Sequence, residues 1–174
     1  MDSLEVAELK FLMKLLGHEG YRSSITALSP NSKTAHKERD RICIALETKG
    51  IVEYDSQVAK FSLARPGRTL LSLDTTSLPA TPDELKVLRA CQKIKGQATP
   101  GQISGVPAAS VQGLVRGLSE RRLLKINKEE IKEVWLTDRG KQFLLCEYEP
   151  TGSYAITVSA TMIGNYVRFL RKNL

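Results

Sequence analysis

Cysteine is scarce in this chain and never clustered. Cys43, Cys91 and Cys146 are the three among 174 residues, far apart and in apolar or helical surroundings. Their spacing fits no zinc site. Their odd number and the missing signal-type leader predict a reducing cytoplasm, where thiols act as small hydrophobes. No apolar run approaches the roughly 20 residues needed to span a bilayer, so no membrane role is expected. Gly-rich phosphate loops, Ser/His/Asp constellations and paired carboxylates are all missing, and His18 has no companion ligand nearby in sequence. Catalytic, cofactor and metal chemistry therefore lack their usual residue patterns. The expectation is a binding protein rather than an enzyme, with no cofactor.

What the chain has is a repeat. Glu8-Leu9-Lys10-Phe11-Leu12 recurs as Glu84-Leu85-Lys86-Val87-Leu88, an offset of 76. Leu46 through Gly50-Ile51-Val52 recurs as Leu118 through Arg122-Leu123-Leu124, an offset of 72. Phe61 through Leu71 answers Val134 through Leu144, an offset of 73. A period this long is wrong for a solenoid and right for two small domains. Each buries only about 60% of its unfolded surface and should lean on a neighbour.

The pattern predicts the same elements twice. A helix from an N-cap at Ser3 to Leu16 carries the stripe Leu4, Leu9, Leu12, Met13 and Leu16. A short helix follows over 23–28, then a third from about Ser32 to Gly50. Two strands, 51–54 and 58–63, flank a turn at Asp55-Ser56-Gln57, and a helix over 66–71 closes the unit. In the second copy, Thr81-Pro82 opens a helix that ends at Gly96, Thr99-Pro100 opens a short one, and a third spans 108–121. Strands 123–127 and 131–136 and a helix over 139–146 complete it. The expected architecture is mainly α with small β-hairpins: one domain over 1–75, a linker over 76–80, a second domain over 81–147, a linker over 148–158 and a terminal helix over 159–174.

This order of elements resembles the winged helix-turn-helix superfamily. The stretch 99–124 (TPGQISGVPAASVQGLVRGLSERRLL) looks like the heart of a MarR-type domain, and Leu46-Glu47-Thr48-Lys49-Gly50-Ile51-Val52 is similar to the end of its recognition helix. Leu136-Thr137-Asp138-Arg139-Gly140 is similar to the exit of its wing. The resemblance covers about residues 3–146. It implies double-stranded DNA as the partner and transcription regulation as the function, with the third helix in the major groove and the wing on phosphates.

Net charge is +7: residues 1–78 carry +1 and residues 79–174 carry +6. Such an excess fits a polyanion partner or an ordinary basic surface. On the first copy's third helix, the outward residues include Lys33, Thr34, His36, Lys37 and Arg41. Lys33, Lys37 and Arg41 share one side, as a groove-facing edge or as a solvated face tempered by Glu38 and Asp40. The second copy's third helix offers Ala108, Ala109, Ser110, Gln112, Gly113 and Arg116. This surface is poor in base-reading groups, and Gly113 and Gly117 at four-residue spacing suggest close packing against something. Charge there moves to Arg121, Arg122, Lys125, Lys128 and Lys132, as a phosphate clamp or a plain hairpin beside Glu129, Glu130 and Glu133. Trp135 reads as core or wing base.

The terminal helix places Met162, Ile163, Tyr166, Val167 and Leu170 on one face. That face packs back on the chain or pairs two copies, and a homodimer is the expectation. The competing functional reading is a protein-interaction scaffold that uses the small-residue face of the second third helix.

Overall fold

A computed structural model describes residues 4–28, 33–73, 79–94, 96–149 and 158–174. Ser3, expected as the first N-cap, lies outside the described residues, as do most of both expected linkers. Among the described residues the chain is α+β, with seven α-helices and one three-stranded antiparallel sheet of order β1-β3-β2. The elements are α1 (Val6–Leu15), β1 (Arg22–Ser24), α2 (Lys33–Thr48), β2 (Val52–Leu63), α3 (Arg65–Ser72), α4 (Pro82–Lys93), α5 (Ala108–Glu120), β3 (Leu124–Leu136), α6 (Asp138–Gln142) and α7 (Ala160–Asn173). No helix among the described residues is long and apolar enough to cross a membrane.

Two expected hairpins are absent. Residues 52–63 form one continuous strand, and so do 124–136. A tight hairpin turn needs positive φ, which Gly or Asn supplies. Neither segment contains glycine, and although the second holds Asn127, none of their residues has positive φ. With no residue in the left-handed conformation that a tight reversal requires, each strand runs on, and β2 and β3 lie side by side in the sheet.

The chain divides into two compact units, one comprising Met1–Asp55 with Ile131–Leu174, the other Ser56–Glu130. Both long strands begin in one unit and end in the other. The closing half of each sequence repeat consequently packs on the opening half of the other repeat. In the first unit Phe11, Leu12, Leu15, Cys43, Leu46 and Val52 share a core with Val134, Leu136 and Leu144. In the second, Val87, Leu88, Cys91, Val111, Val115 and Leu118 share one with Val58, Phe61, Leu63 and Leu70.

The same junction holds both units. Thr137 N–H donates to the Ile51 carbonyl at 3.1 Å, and its repeat counterpart Ala64 donates to Leu123 at 3.1 Å. Three residues on, Gly140 and Gly67 lie so close to those carbonyls that a Cβ on either would collide with the backbone oxygen of Ile51 or Leu123. Close approach of a helix to a strand end explains both glycines.

Smaller differences follow local chemistry. The short helix expected over 23–28 is strand β1 and a turn, because β1 pairs with β3 (Arg22 with Trp135, Ser23 with Val134, Ser24 with Glu133). Its counterpart is a single bridge, Ala98 to Phe61, and Thr99-Pro100 opens only a 3₁₀ turn, Pro100–Gln102. Helix α1 starts at Val6, where the Glu8 carboxylate accepts from Glu5 N–H at 2.7 Å. Glu8 is buried and also takes Lys49 Nζ at 2.7 Å. The last closing helix is α6 followed by a π-helical turn, Phe143–Glu147.

Helix α7 packs within the first unit. Phe169 is 1% exposed, meets Tyr21 edge-on at 5.3 Å and stacks near Tyr166 at 6.4 Å. Asn165 Nδ2 donates to the Met13 carbonyl at 3.1 Å, and Asn173 Nδ2 to the Tyr21 hydroxyl at 2.9 Å. The face expected to pair two copies is thus divided. Tyr166 and Leu170 pack against the chain's own core, Met162 is half-buried, and Ile163 and Val167 remain outward.

Candidate nucleic-acid interface

Helices α2 and α5 end alike, and that ending positions the residues around them. Both close in a Schellman arrangement. Ile51 N–H reaches the Leu46 carbonyl at 3.0 Å and Gly50 N–H that of Glu47 at 2.8 Å. Leu123 N–H reaches Leu118 at 2.9 Å and Arg122 N–H reaches Ser119 at 2.8 Å. The left-handed residue is Gly50 (φ 71°) in the first case and Arg122 (φ 60°) in the second.

On α2, the side chains of Lys33, Thr34 and His36 lie outside the described residues, although the helix includes all three positions. Lys37 and Arg41 are exposed. Arg41 donates to Glu38 at 2.7 Å, with Glu5 at 3.8 Å. That hydrogen bond holds the Glu38 carboxyl below its ordinary range and the Arg41 guanidinium above its own. Exposed pairs of this kind are weak and readily exchanged for another anion. Next to them Arg39 turns inward, 8% exposed, donating to the Ile25 carbonyl at 3.4 Å and pairing with Asp40 at 2.6 Å. Sequence periodicity does not reveal that an arginine anchors this helix.

On α5, two residues expected to face a partner are bound to the chain itself. Gln112 clamps the backbone of β2, accepting from Val58 N–H at 2.9 Å and donating to the Val58 carbonyl at 3.1 Å. Arg116 donates to the Ser56 carbonyl at 2.8 Å and pairs with Glu129 at 2.8 Å. Both sit one step from the buried stripe Val111, Val115 and Leu118, which turns them over the strand rather than away from it. Ala108, Ala109, Ser110 and Gly113 are left exposed. A Cβ at Gly113 or Gly117 would meet nothing within 4 Å, so the close packing expected from their spacing is not found.

The expected clamp is also divided. Arg121 pairs with Glu84 and donates to the Pro79 carbonyl at 3.2 Å, and Lys128 pairs with Glu130 at 2.8 Å. Lys132 is exposed. Arg122 and Lys125 are exposed with no ion pair among the described residues. Trp135 is half-buried, its ring covered by the Arg22 guanidinium at 4.6 Å and its Nε1 donating to Glu53 at 3.1 Å.

Charge follows the units more sharply than it follows the sequence halves. The first unit carries fourteen Lys and Arg against thirteen Asp and Glu, a net of +1. The second carries twelve against six, a net of +6 in only 75 residues. Among the described residues no three His, Cys, Asp or Glu side chains gather as a metal site. Burial pushes the thiols of Cys43 and Cys91 up to about 12 and about 11, so both are protonated at neutral pH.

No family model, curated protein or solved structure matches the chain.

Proposed function

We propose that this protein is a duplex-DNA-binding transcription regulator built from two winged-helix modules whose wings are exchanged within one chain. The observation that carries the reading is the concentration of exposed cations on the second unit, where net charge reaches +6. The paired helix–bridge–helix–strand plan supports it, since it presents α2 and α5 as the helices that a winged helix offers to DNA. Lys37 and Arg41 on α2 would face the groove, and cations of the second unit would hold phosphates. In this reading the chain binds and does not catalyse.

Electrophoretic shift with random-sequence and selected duplexes, titrated against salt, tests the proposal. Binding should weaken by at least about tenfold between about 50 and about 200 mM salt. No binding to any duplex, or a flat salt response, contradicts it. Lys37→Ala with Arg41→Ala should reduce specific binding more than nonspecific binding.

One observation favours a second reading. With Gln112 and Arg116 tied to strands, α5 presents only Ala108, Ala109, Ser110 and Gly113, a smooth face suited to a protein partner. Recovery of a stoichiometric protein partner that Ser110→Glu abolishes, with no nucleic acid carried along, would select that reading.

A further inference from the structure

We infer that the second unit meets the DNA backbone through an edge formed by α3 and the end of α5, with Arg65, Arg68, Arg122 and Lys125 as its phosphate contacts, and not through α5 itself. The inference rests on the DNA-binding reading above and names the surface that reading leaves open. Its first ground is the exchange of closing halves. Helix α3 closes the first copy in sequence but belongs to the second unit, where Gly67 packs on the Leu123 carbonyl and Ala64 N–H donates to it at 3.1 Å. Arg65 lines a groove with Leu123, next to Arg122 in the chain. Two pairs of cations, Arg65 with Arg68 and Arg122 with Lys125, separated by more than fifty residues of sequence, thereby sit on elements that meet at this junction. All four are exposed, and none has an ion pair or side-chain hydrogen bond among the described residues.

The second ground is Arg122 itself. It occupies the left-handed position that closes a Schellman motif, at φ 60°, where the equivalent position of the first copy holds Gly50. An L-residue other than Asn or Asp is strained there, and glycine is the default. The backbone geometry is the same in both copies, so packing does not demand an arginine. Strain kept without a structural return marks a functional position. An exposed arginine at a helix end, one residue from the Leu123 that shares a groove with Arg65, is suited to phosphate, because its charge is permanent and its donors fork onto oxygen pairs. The third ground is that α5 has given its two longest groove-candidate side chains, Gln112 and Arg116, to β2, which leaves it little with which to read bases.

The test compares three full-length variants with wild type on one duplex, by fluorescence anisotropy across a salt series. The edge variant, Arg65→Gln, Arg68→Gln, Arg122→Gly and Lys125→Gln, should weaken binding by about 10- to 100-fold and lower the salt slope by about 3–4. Ser110→Glu, on the exposed face of α5, should leave both unchanged. Arg122→Gly alone should raise Tm by about 2–4 °C while still weakening binding, a combination that a purely structural arginine would not give. If Ser110→Glu abolishes binding and the edge variant does not, α5 is the reading helix and the inference is overturned. If the edge variant binds like wild type and only Lys37→Ala with Arg41→Ala loses affinity, the inference falls while the DNA-binding reading stands. Wild-type protein that binds no duplex overturns both.

Discussion

Gly50 and Arg122 hold the same place in two copies of one framework, and they show how the copies have diverged. Both end a helix in the same pair of backbone hydrogen bonds, and both lead into a strand whose first carbonyl receives the closing helix of the other copy. The buried positions match closely: Leu46 with Leu118, Val52 with Leu124, Gly67 with Gly140. The surfaces do not. The first unit is nearly neutral, and exposed charges on it are paired, as in Arg22–Glu133 and Arg41–Glu38. The second concentrates the positive charge. Framework residues are constrained by close packing, whereas exposed ones are free to take on separate work.

Several substitutions would break or sharpen that comparison. The largest effects belong to the shared junction. Gly67→Ala and Gly140→Ala each drive a Cβ into a backbone carbonyl, and each should cost about 3 kcal/mol or more in urea denaturation. Unequal costs would mean that the two junctions are not equivalent. Glu8→Ala removes the partner of Lys49 and the acceptor for Glu5 N–H, and leaves intact its repeat counterpart in the second unit, Glu84, which takes Arg121 and accepts from Thr81 N–H at 2.7 Å. It should cost about 2 kcal/mol, read most clearly by pulsed labelling of thiols. Cys43 reports opening of the first unit and Cys91 of the second, while exposed Cys146 reacts at once. Labelling of Cys43 should accelerate more than that of Cys91. The reciprocal swap, Gly50→Arg, should destabilise by about 1–2 kcal/mol, with its Cβ also pressed toward Arg139 at 3.3 Å.

Acid should act last and least. Glu38, Glu133 and Asp138 all lie in the first unit, each held below its ordinary range by a hydrogen bond from Arg41, Arg22 and Lys141 respectively. A carboxyl lowered in the folded state stabilises fully above its unfolded value, here 4.5 for Glu and 3.8 for Asp, and loses that contribution as pH falls through the lowered value. Below about pH 4, amide exchange in the first unit should therefore rise modestly more than in the second. The reverse order would contradict the pairing described for the two surfaces.

Much of the framework was legible in the sequence. The repeat, the starts of α4 and α7, the glycine after α2 and the closing helices follow from apolar periodicity and capping residues. The exchange was not legible from periodicity, because an alternating strand looks the same whether it folds into a hairpin or runs straight. The only local clue was the missing glycine in Asp55-Ser56-Gln57 and in Lys128-Glu129-Glu130. Gln112 and Arg116 read as outward because a polar residue beside a buried stripe points either to solvent or to a neighbouring strand, and spacing alone does not choose. Phe169, the anchor of α7, sits one position from the face formed by Ile163, Tyr166 and Val167, and only its contact with Tyr21 distinguishes the two sides.

The central claim is that each folded unit takes its opening half from one repeat and its closing half from the other. Two fragments test it directly by thermal unfolding and by mass in solution. Residues 56–130 contain the second unit whole and should unfold cooperatively as a monomer. Residues 1–75, a complete sequence repeat, lack strand 131–136 and helix α6, and should show no cooperative transition as a monomer. A monomeric, cooperatively folded 1–75 fragment beside an unfolded 56–130 fragment would contradict the account.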